Sequence, residues 1–277
     1  MLPTRSILIT GCSSGIGLDA ARTLKSRGWR VFASCRQASD CERLRAEGFD
    51  SPLLDYRDSD SIRCAVDEVL RENGGSLDAL FNNGAYAIPG FVEDLPRDAL
   101  REIFEVNLFG QFELINQLLP TFHAQGHGRI VNCSSVLGFA AMKHRGAYNA
   151  TKFAMEGLTD TLRLELTGSG IEVILIQPGP IATRFRENSI PHFERWIDVQ
   201  SSRYREIYET LLKPRLHQPD EHRSRFELGP AAVSKALIAA LEHPRPRPRY
   251  HVTLPTRVAA LLKRSLGSRV FYWLVAR

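Results

Sequence analysis

Apolar residues in this chain fall in short unbroken runs, separated by longer segments in which they recur every three or four positions. Residues 6–10, 29–35, 77–82, 129–134 and 171–177 are apolar through most of their length rather than alternating. Such runs predict strands buried on both faces, hence a parallel sheet covered by helices. Residues 52–55 predict a short third strand, and 250–254 a last one. The segments 16–27, 61–72, 97–119, 146–167 and 230–242 carry the helical pattern. The alternation of strand and helix predicts an α/β, doubly wound parallel sheet with helices on both faces. No repeat or low-complexity linker interrupts it, so all 277 residues are expected to form one domain.

Residues 184–228 break the rhythm. They are polar and charged, yet hold Phe185, Phe193, Trp196, Tyr204 and Tyr208 just past a strand's C-terminal end. Ligands bind at that edge of such sheets, and surface loops seldom hold so many aromatics with nothing to cover. A substrate lid is the expectation, with a solvated insertion as its rival. His192, His217 and His222 in this stretch either touch polar groups of a substrate or lie at the surface.

Charge adds a second division. The formal net charge is +5, but residues 244–277 hold eight Lys/Arg and no Asp or Glu. Removing those eight from the 36 basic residues leaves 28 against 31 acidic ones, a net of −3 for the body. A nucleic-acid-binding body is therefore not expected. The tail from Arg257 to Arg277 mixes cations with apolar residues. It could lie on an anionic membrane surface, cap a pocket or pack at a subunit interface. Cys12, Cys35, Cys41, Cys64 and Cys133 are odd in number and lack a Cys-x-x-Cys pair, so neither a disulfide framework nor a metal site is expected, and a reducing cytoplasm is. Met1 runs almost directly into the first apolar run, so no signal peptide is expected. The longest apolar run, Val270 to Ala276, falls far short of the ~20 residues that span a bilayer. A soluble or peripherally membrane-associated protein is expected.

The candidate chemistry starts at Thr10-Gly11-Cys12-Ser13-Ser14-Gly15-Ile16-Gly17, between the first strand and the first helix. A strand, a glycine loop and a helix start place backbone N–H groups and a positive dipole end where a pyrophosphate would lie. Gly11 would allow the turn, Gly15 the approach of phosphate, and Gly17 close packing of helix on sheet. The spacing is Gly-x-x-x-Gly-x-Gly, neither Gly-x-Gly-x-x-Gly nor the lysine-bearing P-loop.

This loop resembles the nucleotide loop of the short-chain dehydrogenase/reductase superfamily, and further likenesses follow in the family's order over roughly residues 6–183. Asn82-Asn83-Gly84-Ala85 is similar to its Asn-Asn-Ala-Gly signature with the last two residues exchanged. If the backbone needs positive φ at position 85, Ala85 would cost roughly 1 kcal/mol or more. Asn107, Ser135, Tyr148 and Lys152 fall where the family keeps its catalytic four. Pro178-Gly179-Pro180-Ile181-Ala182-Thr183 resembles its Pro-Gly-x-x-x-Thr segment. The resemblance implies a Rossmann-like fold and a nicotinamide cofactor held by Gly11, Ser13, Ser14, Gly15, Ile16, Gly17, Arg36, Asp55, Asn83, Gly84, Ala85, Tyr148, Lys152, Pro178, Gly179, Ile181 and Thr183. It implies a homodimer or homotetramer through the Tyr148 helix.

The residues narrow these roles. Dinucleotide folds usually place an acid about 20 residues past the glycines, on the ribose 2′-hydroxyl. Here Ser34-Cys35-Arg36-Gln37 offers no acid, and Arg36 can pair with a 2′-phosphate, so NADP(H) is expected. Arg36 as a solvated strand-end residue is the rival. Tyr148 and Lys152, at i and i+4, share a helix face. A free phenol titrates at about 10, and a neighbouring ammonium would lower that, letting Tyr148 exchange protons at neutral pH. Ser135 would steady the substrate oxygen and Asn107 would hold a relay water. Within the superfamily, the likeness is to retinol dehydrogenases, 17β-hydroxysteroid dehydrogenases and bacterial aldehyde reductases. It rests on the glycine loop, Ser135-Val136-Leu137-Gly138, Lys152–Leu158 and Pro178-Gly179-Pro180. The leading expectation is an NADPH-dependent reductase of a lipophilic aldehyde or ketone. The alternatives are an alcohol-oxidising enzyme of the retinol or 17β-hydroxysteroid type, and a catalytically silent NADP(H) sensor. The four catalytic-type residues count against the sensor.

Overall fold

The computed structural model of the protein describes residues 5–217 and 226–275. The first half runs β1 (Ser6–Ile9), α1 (Gly15–Ser26), β2 (Arg30–Ala33), α2 (Ala38–Ala46), α3 (Ser59–Glu72), β3 (Ala79–Asn82), α4 (Arg97–Phe104) and α5 (Gly110–Gln125). Then come β4 (Gly128–Cys133), α6 (Gly146–Glu165), β5 (Ile171–Gln177), α7 (Ile190–Trp196) and the single turns α8 (Arg205–Ile207) and α9 (Lys213–Leu216). The chain closes with α10 (Ala231–Glu242), β6 (Arg249–His251), α11 (Leu254–Ser265) and α12 (Ser268–Val275).

Six parallel strands form one sheet in the order β2-β1-β3-β4-β5-β6. Alternate residues of each strand serve opposite faces. Ile7, Ile9, Val31 and Phe81 pack with Leu24 of α1 and Val233 and Leu237 of α10. Leu8, Phe32, Leu80 and Ile130 pack with Ile62 and Val69 of α3 and Leu114 and Leu118 of α5. Both faces are therefore dry, which is why the strands are apolar at successive positions. After β2 the chain returns to the other side of β1 to form β3, and this reversal opens a crevice above the carboxyl ends of those two strands.

Four departures from the sequence expectations have physical causes. The expected strand at 52–55 reduces to isolated bridges, Phe32 with Asp50 and Cys35 with Leu53. Pro52 has no N–H to donate to a ladder. Helix α2 was not expected, because only Cys41 and Leu44 of its nine residues are buried and no apolar stripe shows. The helix expected over 97–119 reaches Gln125 and is interrupted by a π turn, Glu105–Phe109. The last strand stops at His251, because Thr253 caps α11 by accepting from Thr256 N and Pro255 occupies its first turn.

Beyond the π turn, Gly110 lets α5 touch the loop that carries Tyr56. A Cβ there would fall 2.1 Å from the Tyr56 carbonyl oxygen. Gly110→Ala should therefore destabilise the fold by about 2 kcal/mol, measured by denaturant unfolding, although alanine favours helix.

Candidate active site

Two loops meet at the crevice. Thr10 Oγ1 accepts from the backbone N–H of Asn83 (2.9 Å) and Gly84 (3.2 Å), and lies 2.7 Å from Tyr56 Oη. Asn83 Nδ2 donates back to the Thr10 carbonyl, and Gln111 Nε2 to that of Gly84. The glycines make this approach possible. A Cβ on Gly11 would lie 2.8 Å from Gly84 Cα, and one on Gly17 would lie 2.3 Å from Gly11 O. Gly11 and Gly15 also adopt positive φ, 69° and 56°. Ser14 precedes α1 in an extended conformation and its side chain makes no cap bond, so the helix start stays open to an anion. These residues fit a dinucleotide's phosphates.

The exchanged Gly84-Ala85 costs no backbone strain. Among the described residues the only non-glycine at positive φ is His144, so Ala85 carries no such strain. Glycine stands where space is short, since a Cβ on Gly84 would come within 3.2 Å of the Tyr56 ring.

A cavity of about 1120 Å³ runs from these loops past α6 to the C-terminal helices. Gly11, Ser13, Ser14, Gly15, Ile16, Arg36, Asp55, Asn83, Gly84, Ala85, Ser135, Tyr148, Lys152, Pro178, Gly179, Ile181 and Thr183 all line it. Gly17 and Asn107 do not: Gly17 supports the loop from behind, and Asn107 is fully buried. Arg36 is exposed at the cavity wall. Three carboxylates share that end, each tied to an arginine: Asp40 to Arg43 (3.0 Å), Asp55 to Arg57 (2.7 Å) and Glu102 to Arg195 (3.0 Å). Arg43 also donates to the Ser13 carbonyl (2.8 Å).

At the other end, β4 delivers Ser135, whose Oγ accepts from Leu137 N (3.1 Å) and forms a hydrogen bond with Tyr148. Lys152, one turn after Tyr148 on α6, donates from Nζ to the Cys133 carbonyl (2.7 Å). Asn107 sits in the π turn. Its Oδ1 accepts from Tyr86 N (3.1 Å), while Nδ2 donates to Tyr86 O (2.8 Å) and Thr151 Oγ1 (3.3 Å). The amide thus clamps the loop after β3 to α6.

A family model described as short chain dehydrogenase matches residues 5–193. The chain is a short-chain dehydrogenase. An uncharacterized oxidoreductase, YbbO of Escherichia coli K12, is 40% identical over 266 residues, covering 96% of this chain and 92% of the relative. Retinol dehydrogenase 16 of mouse is 31% identical over 98% of this chain and 89% of its own. A short-chain dehydrogenase/reductase of Burkholderia phymatum, solved with NAD, superposes with a TM-score of 0.76 at 24% identity, covering 93% of this chain and 92% of its own.

In this short-chain dehydrogenase, burial governs the Tyr148 and Lys152 side chains. It pushes the Tyr148 phenol well above its ordinary range, helped by Cys133; the Ser135 hydrogen bond and Arg145 pull the other way without overcoming it. The phenol is thus raised where a lowering was expected. Lys152's ammonium lies 5.7 Å from the Tyr148 ring centre, held by the Cys133 carbonyl. Its own pKa is lowered to about 8 by burial, against the opposing pull of Cys133 and Glu156.

The segment from 184 brings some of the side chains singled out in the sequence to this site. Phe185 meets the Tyr148 ring edge-on at 5.3 Å. His192 stacks on Tyr86 at 3.8 Å and lies 3.8 Å from Glu102. Tyr208 is fully buried, donating to Asp94 (2.7 Å) and accepting from Phe91 N (2.8 Å). His217 is exposed and does not line the cavity, while His222 lies outside the described residues. Arg43 and Asp40 were hidden because α2 was not foreseen, so no register brought them to the loop.

Lysine's lowered pKa makes a stability prediction. Between about pH 8 and 10.5 the unfolded chain holds a proton that native Lys152 has lost, so stability rises with pH over that window. Relative to Lys152→Met, the wild type should gain up to roughly 3 kcal/mol from pH 7.5 to 10.5 in denaturant unfolding; a constant difference would contradict it.

Proposed function

We propose that this short-chain dehydrogenase uses NADPH to reduce a lipophilic aldehyde or ketone. The observation that carries the reading is one cavity with Tyr148, Ser135 and Lys152 at one end and Arg36 at the other, beside carboxylates already neutralised by arginines. A guanidinium there can grip a 2′-phosphate bidentately, and Ser13 can add a hydroxyl bond. The cofactor supplies hydride to the substrate carbonyl carbon. Tyr148 Oη holds the proton that neutralises the developing alkoxide. A phenol with raised pKa stays protonated at neutral pH, which suits a proton donor and so the reductive direction. Ser135 Oγ steadies the substrate oxygen. Lys152 holds the nicotinamide ribose hydroxyls, and Asn107 fixes α6 so that these groups keep their places. Leu137, Ala140, Met142 and Phe185 supply apolar wall beside Tyr148, which supports a lipophilic substrate under a lid formed by residues from 184.

Alcohol oxidation is the second reading, favoured by the similarity to a retinol dehydrogenase. It needs the phenolate, so its rate should climb with pH where the reductive rate falls. Absorbance of NADPH with a panel of aldehydes, ketones and alcohols separates the two. The surface of α6 exposes Leu158 and Leu164, which supports a homo-oligomer through this helix. Four of the five cysteines are buried and all are unpaired, which suits a reducing cytoplasm.

Tyr148→Phe should lower turnover by about 10²–10⁴ while NADPH binding, followed by fluorescence, is unchanged. Retained turnover refutes the proton-donor role. Arg36→Asp should weaken NADPH relative to NADH by about a hundredfold in kcat/KM. An unchanged preference refutes the 2′-phosphate assignment and leaves the Tyr148 role standing.

A further inference from the structure

The two C-terminal helices carry a surface that the redox chemistry does not use. On α11, Leu254 (59% exposed), Val258 and Leu261 (65%) recur at spacings of four and three. On α12, Val270, Trp273 (52%) and Leu274 stand at i, i+3 and i+4, and Tyr272 is exposed beside them. Apolar stripes on consecutive helices are a costly surface to leave in water. Arg257, Lys263, Arg264 and Arg269 are interspersed, and no Asp or Glu follows Glu242 in the chain. The inner side of the pair is anchored: Phe271 is buried, and Lys263 donates to the Phe139 carbonyl with its ammonium over the Phe153 ring. Pro255, Ala259 and Val275 line the large cavity. One helix pair therefore walls the cavity inside and shows cations and apolar residues outside.

We propose that α11 and α12 dock on the surface of an anionic lipid bilayer, with the apolar stripes in the acyl boundary and the arginines among the headgroups. The charge chooses this occupant. A second copy meeting the same face about a two-fold axis would set cations against cations with no acid on either helix to pair them. A bilayer rich in anionic lipid answers both the charge and the apolar stripes. Tyr272 and Trp273 suit headgroup depth. Helices of 12 and 8 residues are too short to cross, and no helix among the described residues is long and apolar enough to do so. Docking sets the cavity wall at the lipid surface, so that, on the proposed function, a lipophilic substrate passes from bilayer to cavity without crossing water.

Vesicle co-sedimentation of the full chain tests docking without reference to turnover. Vesicles of phosphatidylcholine with phosphatidylglycerol should bind the protein, and pure phosphatidylcholine should bind it far less. Arg257→Gln/Arg264→Gln/Arg269→Gln should weaken binding about a hundredfold. Leu261→Ser/Leu274→Ser should abolish it; these exposed positions leave the core intact, which circular dichroism verifies. Trp emission should shift to the blue on adding vesicles, and Trp273→Phe should remove that shift. Equal binding by wild type and both variants overturns the proposal, as does equal binding to neutral vesicles. No vesicle binding, with a change of oligomeric mass in Leu261→Ser/Leu274→Ser, overturns it in favour of a subunit interface. Failure of any of these leaves the NADPH and Tyr148 tests untouched.

Discussion

Backbone meets backbone where Gly11 faces Gly84 and where Gly17 backs onto the Gly11 carbonyl. At those points a single methyl group would overlap main-chain atoms that have no freedom to move. Thr10 then ties the two loops by accepting from both Asn83 and Gly84. Everything downstream relies on that closeness: it brings the start of α1, the end of β3 and the Tyr56 loop to one crevice. The sheet's reversal between β2 and β3 creates the crevice, and the glycines allow it to be narrow.

Charge is distributed along the cavity in two distinct ways. At the β2 end, acids and arginines alternate in ion pairs, leaving the wall polar but without a lone carboxylate next to Arg36. At the α6 end, Tyr148 and Lys152 are both buried, and desolvation shifts each toward its neutral form. On the proposed function, a protonated phenol beside a hydroxyl suits giving a proton to an oxygen. Asn107, in the π turn, ties the loop after β3 to α6 through its amide.

The tail and the segment from 184 complete the enclosure. Phe185 approaches Tyr148, Tyr208 anchors its segment to Asp94, and α11 and α12 supply Pro255, Ala259 and Val275. Sequence distance is large here: the cavity wall draws on residues from Thr10 to Val275.

The strand runs, the helices between them, the glycine loop and Tyr148–Lys152 were legible in the sequence because each depends on local spacing. An unbroken apolar run, a loop at a strand end and an i, i+4 pair are short-range facts. The parallel, doubly wound sheet followed from them, and the family resemblance placed Ser135 and Asn107. Four things needed the tertiary structure. Helix α2 has too few apolar residues to announce itself, so Arg43 and Asp40 could not be placed beside Ser13. The expected strand at 52–55 failed on one missing N–H. Asn107's amide turned out to be committed to Tyr86 and Thr151, a matter of long-range pairing. The Tyr148 phenol rises instead of falling, because desolvation depends on the atoms packed around a group rather than on its neighbours in the chain. Local periodicity is written along the chain, whereas burial, and with it charge, is decided only when distant segments close over the same site.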